Sequence, residues 1–291
     1  MIYIHKDKTD RSKEAAQKLK DWKNSDDITP SGQRFDVLCK KLGVSSLWEL
    51  LDSGFSYNKK QLREDLHTEQ HGVCCYCICG VKNETSQSVI EHFKDKSCNP
   101  CENTYDYANL MLSCNGNLQS DAKVMIKQGD TIEKFVEKYG LTEEQRKEIE
   151  KKFRPFQTVT VFKPPLHCDK AKAQIEEKPK NQPDYVSPII NPILVIDCWK
   201  RFEYYEDGFI KGKDNEANET IRILNLNAEP LKEKREKAWV NARVKFQDGK
   251  EHDLSSKEKI EECLKKELDM KPYHLCVVHR AYLLNELNMA K

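Results

Sequence analysis

The sequence predicts an α+β protein in which a few short strands sit inside a mostly helical chain. Three observations predict it. Several segments carry apolar residues at helical spacing between polar caps and glycines, as in DRSKEAAQKLKDWKN. The middle of the chain changes to short apolar runs separated by polar loops: VCCYCICG, SQSVIEHF and NLMLSC. Within the first of these runs Cys74, Cys75, Cys77 and Cys79 crowd together, too close for independent disulfide bridges.

The bulk composition sets the frame. A chain of 291 residues suits one large domain or two small ones and can bury a real core. With 38% hydrophobic and 33% charged residues, it reads as a soluble, highly charged globular protein. No apolar run approaches the roughly 18 residues of a membrane span, so no membrane role is expected. The opening MIYIHKDKTDRSKEAAQK is charged from Lys6 onward and lacks the apolar stretch of a secretory signal, so a cytoplasmic location is expected. The balance of 49 basic and 48 acidic residues gives no global electrostatic case for nucleic acid; a phosphate-binding site needs local clustering.

Taken in order, MIYI reads as a short opening strand. The first helix follows, with Asp10 as its cap and Ala15, Leu19 and Trp22 near one face. Pro30 and Gly32 mark a break. RFDVLCKKLG and SSLWELLDSG read as short helices ending at Gly43 and Gly54, and NKKQLREDLHTEQHG as another that stops at Gly72. After the three strand-like runs, residues 130–153 read as two charged helices divided at Gly140, and QTVTVFK alternates like a strand. HCDKAKAQIEEK opens a helix that must end before Pro179, and KNQPDYVSP reads as a linker. ILVIDCW suggests a strand, FEYYEDGFIKGK a hairpin turning at Asp207-Gly208, and TIRILNLN is a further apolar-rich run. PLKEKREKAWVNARVKF, SSKEKIEECLKKELD and HLCVVHRAYLLNEL read as helices. The expected organisation is a helical region over 1–72, a core over 73–180 with a helical insertion near 115–166, and an α+β region over 181–291.

Cys74 and Cys77 form a C-x2-C pair, the spacing that lets two thiolates of one turn bind a single Zn²⁺ tetrahedrally. One pair is half a site. Cys98 and Cys101 form a second C-x2-C that would complete it; Cys114 and Cys168, at the edges of a strand-like and a helix-like run, are also placed as ligands. Cys39, Cys198, Cys263 and Cys276 read as buried apolar residues, and Cys75 and Cys79 as facing elsewhere. A thiol-redox role for CCYC lacks the surrounding βαβ pattern.

Glu91 and His92, at the end of VIEH, would alone pass as a strand-end surface pair. Their setting changes that. GVCCYC (72–77), IEHFKDKS (90–97), YDYANLMLSCNGN (105–117) and HCDKAK (167–172), in this order, resemble the HNH or ββα-metal nucleases, and more narrowly the PtuB-like HNH proteins of Septu and retron antiphage systems. SPIINP, the EDGFIKG hairpin and TIRILNLNAEPLKEKR resemble the family's C-terminal part, so the likeness runs from about residue 55 to 240. It implies a zinc-stabilised ββα-metal nuclease core embedded in the helical chain. It also implies structural Zn²⁺ on Cys74, Cys77, Cys114 and Cys168, and a catalytic Mg²⁺ or Mn²⁺ on Glu91 with Asn109.

The chemistry of those residue types agrees with the roles. Neutral imidazole, with a reference pKa near ~6.5, can take a proton from water, so His92 is the expected general base. Glu91 offers a hard oxygen to a divalent cation. Asn109 would orient the imidazole or add an amide oxygen. Two departures from the family stand out: a long insertion separates Cys114 from Cys168, and Asp169-Lys170 follow Cys168 where a final His or Asn is usual. Asp169 is therefore the candidate third site residue, with Lys170 or Lys172 as phosphate contacts and His167 able to serve either site.

LKEKREKAWVNARVK (231–245) is basic with Trp239 interleaved; it reads either as a phosphate-tracking surface or as a solvated helix with Trp239 packed inward. The resemblance implies a nucleic-acid substrate, DNA or RNA, and a PtuA-like ATPase as partner; in retron systems a reverse transcriptase and its RNA–DNA product join them. The chain has no G-x4-GK[ST] loop of its own. The rival expectation is a zinc-stabilised nucleic-acid-binding or interaction subunit without catalysis.

Overall fold

The computed structural model describes residues 1, 3–4, 6, 10–23, 48, 57–95, 103–116, 122–139, 141, 143–161, 166–176, 187–248 and 254–290. The expected helices over 34–43 and 45–54, and the CNPC pair Cys98 and Cys101, lie outside the described residues apart from Trp48. The chain is mixed α+β, with small antiparallel sheets among helices. It divides into two compact units: Met1–Cys114 with Glu176–Arg201 and Leu268–Val277, and Asn115–Ile175 with Phe202–Glu267 and Val278–Lys291.

In the first unit, helix α1 (Asp10–Lys23) and helix α2 (Lys59–Glu69) flank a two-stranded sheet of β1 (Ser88–His92) and β2 (Leu110–Cys114). Asn58 closes the start of α2: its side chain accepts from the amides of Lys60 and Gln61, both at 3.1 Å, and Gln61 returns the bond to the Asn58 amide. Ala15 and Leu19 of α1, Leu62 and Leu66 of α2, and Leu110 and Leu112 of β2 meet in one core with Tyr57, Tyr105 and Tyr107. The apolar spacing of both helices therefore does what the sequence predicts; Asp10 is the first residue of α1 rather than its cap. Arg11 Nε donates to Asp65 Oδ1 at 2.6 Å, and the Tyr57 hydroxyl to Asp65 Oδ2 at 2.9 Å, tying α1 to α2. Burial and the Asp65 carboxylate hold the Tyr57 phenol well above its ordinary pKa.

Two strands expected in this unit are absent. Ile4 is irregular, its amide donating to the Pro192 carbonyl at 2.7 Å. ILVIDCW forms turns leading into a 3-10 turn, Cys198–Arg201. Its Leu194 and Ile196 are solvent-exposed while Cys198 and Trp199 are buried, so the alternation that suggested a strand is met by a turn instead.

In the second unit, β3 (Ala122–Met125) and β4 (Thr158–Val161) pair antiparallel, and helices α3 (Ile132–Tyr139) and α4 (Glu143–Glu150) lie between them in sequence. Ile126, Phe135, Tyr139, Leu141, Ile149 and Val159 give this segment its own core. The expected helical insertion is thus a hairpin closed around two helices: β4 was legible from its alternation, but β3 has too few apolar residues to announce itself. Helix α5 (Asp169–Ile175) follows. The hairpin of β5 (Phe202–Tyr204) and β6 (Ile210–Gly212) turns at Asp207-Gly208 as expected. Gly208 has φ +78°, and a Cβ there would lie 2.0 Å from the Lys232 carbonyl oxygen, so only glycine serves.

TIRILNLN belongs to helix α6 (Asn215–Ile223) and the turn after it. The basic helix α7 (Glu229–Arg243) continues into a π turn, Val244–Asp248, and α8 (Lys257–Asp269) and α9 (Cys276–Met289) complete the chain's helices among the described residues. On α7 the sequence left two readings open, and packing decides between them. Trp239 is buried edge-on against Tyr282, with ring centroids 5.5 Å apart. Arg235 is buried too and donates to the carbonyls of Gly208 and Leu226. Neither side chain is presented to a phosphate.

Candidate functional site

VCCYCICG was expected to be a strand, and it is a knuckle. Val73 and Gly80 form a single antiparallel bridge, the Cys74 amide donates to the Cys79 carbonyl at 2.9 Å, and the Ile78 amide to the Cys74 carbonyl at 3.1 Å. Ile78 takes a φ of +62° to close the turn. An extended strand would throw alternate cysteines to opposite faces; the turn brings Cys74 and Cys77 to one side. Gln70, at the end of α2, acts as a short strand partner: its amide side chain donates to Val73 O and Leu112 O and accepts from the Leu112 amide at 2.6 Å. The Cys75 amide also donates to Leu112 O, at 3.0 Å. These bonds fasten the knuckle to β2.

Four buried thiols, Cys74, Cys77, Cys114 and Cys168, converge so that their sulfurs all lie within 4.8 Å of one another. Zn–S bonds of about 2.3 Å at tetrahedral angles place sulfurs roughly 3.8 Å apart. The Cys77–Cys114 separation of 3.9 Å matches that spacing. The sulfurs are also solvated by protein donors, as thiolates require. The Tyr76 amide lies 3.5 Å from Cys74 Sγ, Ser113 Oγ 3.6 Å from Cys74 Sγ, and His167 Nδ1 3.2 Å from Cys168 Sγ. This donor set fits a structural zinc ion with no position left for water. Cys168 is set by φ +56° and by its amide bond to Leu224 O at 2.8 Å. Gly116 permits the close approach of His167, whose carbonyl oxygen would stand 2.3 Å from any Cβ.

The remaining cysteines divide as expected. Cys198, Cys263 and Cys276 are buried among apolar neighbours; Cys39 lies outside the described residues. Cys75 and Cys79 are buried apart from the cluster, and burial, reinforced by the contact with Cys74, pushes the Cys75 thiol well above its ordinary pKa.

Glu91 and His92 close β1, opposite Met111 and Leu110 of β2. As strand neighbours they face opposite ways. Glu91 is 5% exposed and turns toward the knuckle, where the Tyr76 hydroxyl donates to its Oε1 at 2.8 Å. His92 is half-buried on the other face, edge-on to Trp48 with centroids 4.6 Å apart. Its Nε2 lies 3.1 Å from the Thr104 carbonyl oxygen. A carbonyl only accepts, so Nε2 carries the proton in this bond; in the neutral ring Nδ1 then holds the lone pair.

Asn109 is buried just before β2, and its amide is spent on the loop. Oδ1 accepts from the Lys94 amide at 2.7 Å, and Nδ2 donates to Lys94 O and Asn103 O, both at 2.9 Å. It therefore straps together the two sides of the connection that leaves His92 and returns through Thr104. Of the two roles expected for it, these contacts match the orienting one: Asn109 orders the backbone that carries the imidazole's partner, and its oxygen faces a backbone amide. Asp169 opens α5, partly exposed, with Lys170 Nζ at 3.5 Å. Lys172 is buried and so is withdrawn from any phosphate. Lys94 is exposed. The sequence reading missed Tyr76 and Thr104. The tyrosine lies inside the quoted CCYC motif and was passed over as a spacer; Thr104 acts through its main chain and carries no side-chain signal.

No protein-family model matches the chain, and no curated protein matches it.

Proposed function

We propose that the protein is a metal-dependent endonuclease of the HNH type that hydrolyses nucleic-acid phosphodiester bonds. One observation carries the reading: His92 donates through Nε2 to the Thr104 carbonyl, which leaves Nδ1 as the proton acceptor at a strand end adjoining a carboxylate. A surface histidine needs no such anchor. A general base does, because the tautomer decides which nitrogen can receive a proton.

In the proposed reaction His92 Nδ1 takes a proton from water while the water oxygen bonds to phosphorus. The phosphorus–oxygen bond to the leaving strand then breaks. Asn109 holds the loop, and hence Thr104 O, so that the imidazole keeps its orientation. Glu91 would hold a divalent cation, Mg²⁺ or Mn²⁺. When bound, such a cation stabilises charge on the phosphate and the leaving oxygen. A carboxylate is the right donor for these hard cations, and the four thiols are the right donors for zinc, so one chain provides for both without competition. Asp169 at the head of α5 is the proposed third residue.

The resemblance to PtuB-like proteins supports placing this activity in an antiphage defence system. The proposed partner is a PtuA-like ATPase, with a retron reverse transcriptase and its RNA–DNA product as further candidates. The test is cleavage of single- and double-stranded DNA and of RNA by the zinc-loaded protein, with and without Mg²⁺ or Mn²⁺ and with and without the ATPase encoded beside it. Cleavage that needs the divalent cation and changes with the ATPase is expected. A protein that binds nucleic acid but never cuts it under any of these conditions is instead a zinc-stabilised binding subunit.

A further inference from the structure

Tyr76 makes two hydrogen bonds from its two ends. Its main-chain amide points at Cys74 Sγ, a zinc-cluster sulfur, at 3.5 Å, and its hydroxyl donates to Glu91 Oε1 at 2.8 Å. The ring between them is wholly buried. A phenylalanine would fill the same volume, so core packing alone does not explain the hydroxyl; burying an O–H is favourable only where it finds a partner, and here the partner is a carboxylate. The platform is stiff. Cys75, the residue before Tyr76, bonds to Leu112 O in β2, which sits beside Met111, the residue paired with Glu91 in β1.

We propose that Tyr76 is a positioning residue for a divalent-cation site on Glu91, fixing the carboxylate so that one oxygen is held by the hydroxyl and the other is presented to the metal. The proposal rests on the reading of Glu91 as a cation ligand. A glutamate has three side-chain torsions, and a ligand that must first be ordered binds its metal more weakly than one already ordered. Carboxylates that ligate metals are themselves hydrogen-bonded by an outer shell, and that shell tunes affinity. Here the outer shell belongs to the zinc knuckle. The four-thiol cluster then does more than hold the fold: through Tyr76 it sets the geometry of the second metal's ligand.

The experiment is a Mn²⁺ titration of the zinc-loaded full-length protein, followed by electron paramagnetic resonance of free Mn²⁺, with zinc content measured on each sample. Tyr76→Phe is expected to weaken Mn²⁺ binding about 10–100-fold while zinc content stays that of the unmodified protein. Glu91→Ala is expected to remove the Mn²⁺ site. If Glu91→Ala removes it and Tyr76→Phe binds Mn²⁺ as the unmodified protein does, the role of Tyr76 is overturned and that of Glu91 stands. If Glu91→Ala binds Mn²⁺ unchanged, the metal role of Glu91 and the proposal on Tyr76 both fail. If Tyr76→Phe loses zinc or its cooperative melt, the hydroxyl serves the fold and the proposal fails.

Discussion

The thiol cluster and the end of β1 lie close together in sequence and are built on opposite principles. The cluster is closed: four soft donors converge, each buried, with amide, hydroxyl and imidazole groups around the sulfurs. The strand end is divided: Glu91 is turned inward to Tyr76, while His92 is half-exposed and held at one nitrogen only. A closed four-ligand set is what a structural ion needs, and an incompletely occupied one is what a reactive site needs. The difference teaches that the chain invests rigidity in the first region to leave a defined opening in the second. Gln70 and Leu112 transmit it, since the same β2 backbone receives the knuckle and pairs with β1.

The sharpest break in this comparison is Cys77→Ser. Structural zinc contributes apparent free energies of roughly 10 kcal/mol or more in small domains, so losing one thiolate is expected to cost several kcal/mol and the bound zinc. Metal analysis and a thermal melt read it directly: about one Zn²⁺ per chain before, markedly less after, with the cooperative transition lowered or gone. Unchanged zinc content would move the ligand set elsewhere, to Cys98 and Cys101. His92→Ala should behave in the opposite way. Cleavage is expected to fall about 10²–10⁴-fold, the usual contribution of a general base, with zinc content and melting temperature near those of the unmodified protein. Cleavage at the original rate would end the role assigned to His92.

Those two outcomes also show what was legible in the sequence. C-x2-C spacing is a local signal, and the pairing of β1 with β2 follows from two short apolar runs, so the cluster and its strands could be anticipated. The knuckle itself could not be read from VCCYCICG, because five of its residues are apolar or cysteine and look like a strand until metal geometry is imposed. Packing in three dimensions decided the rest. Trp239 and Arg235 sit in a basic run that resembles a phosphate surface, yet tertiary burial takes both inward. Thr104 O and the hydrogen bonds of Asn109 involve the main chain, and main-chain acceptors leave no mark on residue type.

Asn109→Ala tests the strap between the two regions and is expected to give an intermediate effect. It deletes three hydrogen bonds of a buried amide, at about 1 kcal/mol each, so a loss of about 3 kcal/mol is expected in chemical denaturation. If the amide orients the loop rather than a cation, Mn²⁺ affinity should change little while cleavage falls with the freed imidazole. A loss of Mn²⁺ binding as large as that of Glu91→Ala would instead make its oxygen a ligand.

Cys276→Ala is the smallest expected effect and the control for the rest. Cys276 is buried as deeply as the cluster thiols but does not belong to the cluster. Burial alone therefore predicts only the loss of one buried heavy atom, about 1 kcal/mol, similar to Ile→Val in a core. Zinc content should not move. The contrast with Cys77→Ser is then between two buried cysteines of equal chemistry that differ only in whether three other sulfurs lie within reach. If Cys276→Ala released zinc as Cys77→Ser is expected to, convergence of the four thiols would not be what makes a ligand in this chain, and the assignment of the closed site would fall with it.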